Sequence, residues 1–153
     1  MSRQDAAGWR RRQPGRVAFT NGVFDLLHVG HVDALRGARA TGDALMVGVN
    51  SDDSVRRLGK GPGRPVRSEA ERAYLLAALA DVDVVVIFDE ETPLELVRAL
   101  EPDIIVKGGD YPPEAVVGSE LVRARGGQVV IIPLTPGHST TATIERMRTH
   151  EPR

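Results

Sequence analysis

His28 and His31 stand three residues apart inside the stretch Thr20-Asn21-Gly22-Val23-Phe24-Asp25-Leu26-Leu27-His28-Val29-Gly30-His31. In a helical first turn that spacing projects both imidazoles from one face. Gly30 between them removes a side chain, so a phosphate or a base can approach the backbone. Two hydrogen-donating imidazoles at a helix N-terminus, where free N–H groups and the helix dipole converge, suit charge stabilisation at a phosphorus centre. The alternative chemistry for such a pair is metal chelation, which wants further Cys, His or carboxylate ligands. The chain has no Cys and two further His, His138 and His150, so chelation finds little support and no metal ligands are assigned.

These residues need a strand before them and a helix after them. Arg16 to Thr20 is a short apolar run that reads as a buried strand, and Val32, Leu35, Ala38 and Arg39 keep a helical period. Further strands are expected at Ala44–Val49, Val82–Phe88 (apolar enough to be buried on both faces), Asp103–Val106 and Gln128–Ile132. Helices are expected at Ser54–Leu58, from the capping box Ser68-x-x-Glu71 through Leu79, from Pro93 to about Leu100, over Pro113–Arg125, and from a Ser139 or Thr140 cap through Met147. Gly59-Lys60-Gly61-Pro62-Gly63-Arg64-Pro65, with three Gly and two Pro in seven residues, is a mobile loop carrying two cations. Alternating strands and helices specify a Rossmann-like three-layer α/β/α domain on a five-stranded parallel sheet. Ligands in such sheets sit beyond the carboxyl ends of the strands, where the strand order switches. Each Gly-rich or cationic stretch follows a strand or starts a helix, which argues for one site.

Length and composition set the outer limits. At 153 residues the chain is one domain, drawn here as 15–150 behind a flexible N-terminal extension at 1–14. Twenty basic against 21 acidic residues leave no bulk charge for nucleic acid or a membrane surface, and neither is expected as a partner. Aromatic residues at 4% disfavour a base-stacking platform for single strands. Without Cys there are no disulfides. No apolar run reaches membrane-spanning length, and the basic residues 1–14 lack a secretory apolar segment, so the cytoplasm is the expected location.

The string Gly22-Val23-Phe24-Asp25-Leu26-Leu27-His28-Val29-Gly30-His31 resembles the H-x-G-H signature of the nucleotidylyltransferase superfamily with its G-x-F-D-x-x-H approach. The likeness covers nearly all of residues 16–148 and is nearest to the cytidylyltransferase-like branch, within it to domains that adenylylate heptose 1-phosphate. Phe19-Thr20-Asn21-Gly22, Gly48-Val49-Asn50-Ser51-Asp52, Gly61-Pro62-Gly63-Arg64-Pro65, Val106-Lys107-Gly108-Gly109-Asp110-Tyr111 and Ser139-Thr140-Thr141 carry the narrower likeness. Two departures stand out. Many relatives fuse this domain behind a sugar kinase, so either a separate kinase is expected upstream or the substrate is a different one. Glycerol-phosphate cytidylyltransferases carry an Arg where this chain has Leu134, which fits the heptose branch better.

The resemblance implies roles. His28 and His31 contact the nucleotide phosphates, His31 nearest the α-phosphoryl. Thr20, Gly22 and Gly30 belong to the nucleotide-binding turn, with Val23 and Phe24 packing around the triphosphate. Asp25 fixes the turn or orients an imidazole rather than acting as a base. Asn21 contacts the sugar or braces the loop. Lys60 swings onto the phosphates, and Arg64 sits on the same loop with even claims to function and to solvent. Arg72, a cation misplaced for the dipole early in a helix, contacts phosphate or pairs within the Glu69–Glu71 cluster. Lys107, Gly108 and Gly109 expose backbone where base and substrate meet, and Asp110 binds sugar hydroxyls or lies near the metal. Ser139, Thr140 and Thr141 suit the β- and γ-phosphates. His138, Tyr111 and Trp9 carry no assigned role.

The leading expectation is an ATP-dependent, Mg2+-requiring adenylyltransferase acting on a heptose 1-phosphate, homodimeric like much of its family. A cytidylyltransferase for a small alcohol phosphate such as glycerol 3-phosphate is the nearest competitor. A nucleotide-binding sensor without turnover is the competitor from another class.

Overall fold

The computed structural model describes residues 1–149; His150, the last residue of the domain drawn above, lies outside them. The elements run α1 (Arg3–Arg11), β1 (Val17–Gly22), α2 (Val29–Arg39), β2 (Ala44–Asn50), α3 (Asp52–Arg57), α4 (Glu69–Ala77), β3 (Val84–Phe88), α5 (Leu94–Leu100), β4 (Ile104–Gly108), a 3-10 turn (Pro113–Ala115), α6 (Ser119–Ala124), β5 (Gln128–Ile132) and α7 (Thr140–Thr149). The five strands form one wholly parallel sheet in the order β3-β2-β1-β4-β5. The chain therefore steps outward from β1 to β3, then crosses back and steps outward the other way from β4. The switch lies between β1 and β4, which is where a crevice forms in sheets of this kind.

Alternation along the strands divides the core in two. Val17, Phe19, Met46, Val84, Val86 and Ile105 face α1, α5 and α6, while Ala18, Leu45, Val47, Val85, Ile104 and Val106 face α2 and α4. Both faces of β2 are covered along its whole length, consistent with its continuous apolar run. β3 does not follow the two-sided burial expected of it: as an edge strand it leaves Ile87 38% exposed.

Two expectations are corrected. Residues 3–11 are not a flexible extension but a helix, capped where the Ser2 hydroxyl accepts the Asp5 N–H at 3.0 Å. It buries Ala6, packs Ala7 and Trp9 against the core, and ties Arg3 to Glu90 and Arg10 to Asp103 at 2.6 and 2.8 Å. Beside the one fully buried methyl of Ala6, Ala7 and Trp9 add partly buried apolar surface, a packing that the helical period of this stretch does not reveal. The helix expected over 113–125 breaks in two because Gly118 turns left-handed at φ 88° beneath Val97 and Ile105.

Candidate active site

The turn after β1 is built by groups that the protein itself satisfies. Phe24 and Leu26, neither of them Gly, take left-handed backbone at φ 53° and 49° on either side of Asp25. Such conformations persist only where the surroundings hold them. Here the Asp25 carboxylate accepts the N–H groups of Val66 and Arg67 at 2.8 and 3.1 Å and Arg64 Nε at 3.0 Å. Thr140 Oγ1 donates to the Asp25 carbonyl at 2.6 Å. Burial works to raise the Asp25 pKa, but the two N–H groups and the Arg64 guanidinium outweigh it and hold the carboxyl below its ordinary value. Asp25 thus fixes the turn, binding the 64–67 loop beneath it.

Arg72 is corrected in the same terms. Its guanidinium is wholly buried and donates to the carbonyls of Arg67, Val23 and Asn50 at 3.1, 2.7 and 2.8 Å and to Asp52 Oδ1 at 2.7 Å. Four of its five N–H groups reach protein oxygens and the side chain is wholly buried, so it braces the turn and the Asn50-Ser51-Asp52 segment and does not reach a ligand. Neither expected partner, a substrate phosphate nor the Glu69–Glu71 cluster, is the one it takes.

The histidines sit above this brace. His28 precedes α2 with extended backbone, and its N–H donates to His31 Nδ1 at 3.2 Å. Because Nδ1 of His31 accepts, the neutral ring carries its proton on Nε2. Burial, then the neighbouring His28, push the His31 pKa down to about 4 against the opposing pull of Asp25, so the ring is neutral at physiological pH. The His28 and His31 rings stack with centroids 3.8 Å apart, and Phe24 lies 5.5 Å from His31. Burial and then His138 lower the His28 pKa. His28 Nδ1 is the one buried side-chain polar atom without a hydrogen-bond partner among the described residues. A Cβ on Gly30 would come within 2.9 Å of the His28 ring and 3.2 Å of His138 Cβ, so glycine is what lets the imidazoles stack there.

A cleft of about 650 Å3 opens at the switch point. From β1 and its turn it takes Thr20, Asn21, Gly22, Val23, Phe24 and Asp25, and from α2 His28, Gly30 and His31. Lys60 and Arg64 come from the Gly-rich loop, Lys107 and Gly108 from the end of β4, and Ser139, Thr140 and Thr141 from the start of α7. Five stretches of sequence therefore converge, as the chain pattern predicts. Gly109 and Asp110 are not among the lining residues, and of the cations Arg64 is already spent on Asp25. Lys60 and Lys107 make no hydrogen bond or ion pair among the described residues; burial and then Lys60 hold the Lys107 pKa below its ordinary value. At α7 the Ser139 hydroxyl accepts the Ala142 N–H at 3.3 Å, which makes Ser139 the cap.

Sequence reasoning missed His138, which lines the cleft and stacks on His28 at 6.1 Å, together with Leu134 and Thr135 beside it. Thr135 Oγ1 donates to Asp33 on α2 at 2.9 Å, docking this loop over the histidines. The signal was the place of His138 directly before three hydroxyl residues at a helix start.

A family model described as cytidylyltransferase-like matches residues 19–146. The chain is 59% identical over 146 residues to the bifunctional protein HldE of Syntrophotalea carbinolica, covering 95% of this chain and 30% of that one. It is 60% identical over 134 residues to the bifunctional protein HldE of Geotalea uraniireducens, covering 88% and 27%. The chain thus spans less than a third of the length of these relatives. Among solved structures it is similar to a lipopolysaccharide core biosynthesis protein from Thermoplasma volcanium GSS1, at 31% identity and a TM-score of 0.63, covering 79% of this chain and 97% of that one. It also resembles in fold the pantoate-beta-alanine ligase of Francisella tularensis, at 13% identity and a TM-score of 0.60 over 92% of this chain and 67% of that one.

Proposed function

This chain belongs to the cytidylyltransferase-like family of nucleotidyltransferases, and from that premise we propose that it transfers AMP from ATP to a heptose 1-phosphate, forming ADP-heptose and pyrophosphate. The observation that carries the reading is the neutral His31, its Nδ1 occupied and its Nε2–H left to donate, at the crevice between β1 and β4. A phosphate oxygen of the sugar attacks the α-phosphorus, a new P–O bond forms, and the bond to the β-phosphate oxygen breaks. The attacking oxygen is already ionised, so no general base is needed and catalysis reduces to positioning and charge stabilisation. His31 Nε2–H stabilises the non-bridging oxygens of the α-phosphoryl group. His28 and the α7 N-terminus at Ser139–Thr141 hold the leaving pyrophosphate. Lys60, on a loop where Gly59, Gly61 and Gly63 all take positive φ, closes onto the phosphates and keeps water out.

Among the described residues no group of three or more His, Asp or Glu could hold a metal ion, and the Asp25 oxygens are engaged. The Mg2+ we propose as cofactor would bind chiefly through the triphosphate oxygens and would neutralise their charge. The heptose rests on the Lys107–Tyr111 and Gly61–Pro65 stretches and on relatives named for HldE and for lipopolysaccharide core biosynthesis. A sugar kinase activity must supply the 1-phosphate. No helix among the described residues is long and apolar enough to cross a membrane, and we place the reaction in the cytoplasm with its ATP. The homodimer we expect from the family is checked by sedimentation.

The test is pyrophosphate release with Mg2+ and heptose 1-phosphate, comparing ATP, CTP, GTP and UTP. Release with ATP that depends on the sugar phosphate is the expected result. Release with CTP and glycerol 3-phosphate instead keeps the chemistry and replaces both substrates. Nucleotide binding with no turnover on any pair overturns the enzyme reading in favour of a sensor.

A further inference from the structure

The strand ends open to both sides of the sheet, and the histidine turn uses one of them. On β1, Ala18 faces α2 and α4 while Val17 and Phe19 face α1, α5 and α6. Continuing that alternation, Thr20 falls on the histidine side and Asn21 on the other. On β4, Ile104 and Val106 are on the histidine side and Ile105 on the other, which puts Lys107 with Asn21. Pairing of β1 with β4 runs through Ala18–Ile104 and Phe19–Ile105, and past these residues the two strands part.

A second recess of about 210 Å3 lies on the Asn21–Lys107 side, walled by Pro93, Tyr111, Val116 and Val117. Asn21 and Lys107 line this recess and the main cleft alike, so the two spaces meet at those side chains. Gly109 lines neither space but lies against the recess wall: a Cβ there would stand 3.0 Å from the Tyr111 ring. Lys107 is half-buried at the neck and has no anion paired with it among the described residues.

We propose that the recess is the acceptor subsite: it holds the carbon skeleton of a monosaccharide phosphate, whose phosphate sits at the neck against Lys107. Asn21 bonds a sugar hydroxyl, the Tyr111 ring lies against the sugar, and Val117 and Pro93 limit its size. Three observations carry this. The recess is smaller than the ~300–1,000 Å3 of clefts for drug-sized ligands, a size that suits one sugar ring. The main cleft, at about 650 Å3, has the room that the nucleotide of the proposed reaction needs. In-line transfer needs attacking and leaving oxygens on opposite sides of the phosphorus, and a sugar phosphate at Lys107 approaches from the sheet face opposite His31.

The inference rests on the transfer reaction proposed above, so its test separates the two. Val117→Trp fills the recess from an exposed turn, and Tyr111→Ala removes its aromatic wall. Calorimetry with heptose 1-phosphate, in the presence of a non-hydrolysable ATP analogue, reads occupancy without turnover. The expected result is at least tenfold weaker sugar phosphate binding in both variants, with affinity for the ATP analogue within twofold of wild type, which also certifies folding. Unchanged heptose 1-phosphate affinity overturns the subsite even if the wild type turns over. Weakened analogue binding overturns it by giving the recess to the base. A wild type that binds heptose 1-phosphate in the recess without turnover overturns the reaction and keeps the subsite. A wild type that binds no sugar phosphate overturns both.

Discussion

Beneath the cleft and around it lie two sets of charged and polar side chains, and they differ in who satisfies them. Below, Asp25 and Arg72 spend every strong interaction on the protein: the carboxylate takes three donors and the guanidinium serves four acceptors. Around the rim, Lys60 and Lys107 have no partner among the described residues, and a buried nitrogen of His28 is orphaned. The lower set converts charge into a fixed backbone. The upper set leaves its interactions unspent, which is what the proposed binding of a triphosphate needs. Arg72 and Lys60 are both cations in phosphate-binding contexts by sequence, yet they sit on opposite sides of this division.

The largest effect expected from breaking it is on the lower set. Arg72→Met leaves three carbonyls and Asp52 without their buried donor, and removing one partner of such a buried network costs about 3–5 kcal/mol. Urea unfolding should show this loss as a lower midpoint at unchanged slope. An Arg72→Met variant of native stability with lost nucleotide binding would move Arg72 to the upper set. Next in size is His31→Ala, which removes a transition-state donor and should lower kcat by about 100- to 1,000-fold, or 2.7–4 kcal/mol. Its urea midpoint should scarcely move, and single-turnover rates with ATP and heptose 1-phosphate read the deficit directly. Turnover near wild type would take His31 out of the chemistry.

How far sequence could see this division is instructive. The parallel sheet was legible because Leu45 to Val49 and Val84 to Phe88 are continuous apolar runs between helical periods, and that pattern admits few architectures. The convergence of Thr20 to Asp25, His28, Lys60, Lys107 and Ser139 was legible because each follows a strand or opens a helix. Saturation was not. Whether Arg72 meets a phosphate or the carbonyl of Val23 depends on how a strained turn folds back over α4, and no local pattern encodes that. The same holds for α1, where Ala6 is the one fully buried apolar residue and Ala7 and Trp9 pack only partly, and for His138, whose stacking on His28 requires that the loop after β5 dock on α2.

A smaller effect sharpens the comparison from the rim. Lys60→Ala should raise the KM for ATP about tenfold, equivalent to 1.4 kcal/mol, and lower kcat as well. Stability should change by less than about 0.5 kcal/mol, as at an exposed loop position. Steady-state kinetics beside thermal melting checks both at once. Unaltered kinetics would leave Lys60 an ordinary solvated lysine and reduce the rim to its histidines and Lys107.

The smallest effect is one of pH, and its sign distinguishes the two sets. His31 has a folded pKa of about 4 against an ordinary value near 6.5, so between those values the unfolded chain binds the proton more readily than the native protein. Its contribution is fully present above the unfolded value and is lost progressively as pH falls from about 6.5 towards 4. His28, also lowered by burial, acts in the same direction. Asp25 behaves differently: with its carboxyl held below 3.8, its stabilisation is present above that value and is lost only at more acid pH. The window from 6.5 to about 4.5 therefore reports mainly on the rim; below it the brace loses its contribution together with Glu71 and Glu90, whose carboxyls are also held below their ordinary value. Urea midpoints of wild type and His31→Gln across pH 7 to 4.5 should converge as the wild type loses stability and the variant loses less. Parallel curves would mean that His31 titrates as freely in the native protein as in the unfolded chain, and the neutral Nε2–H donor would lose its basis.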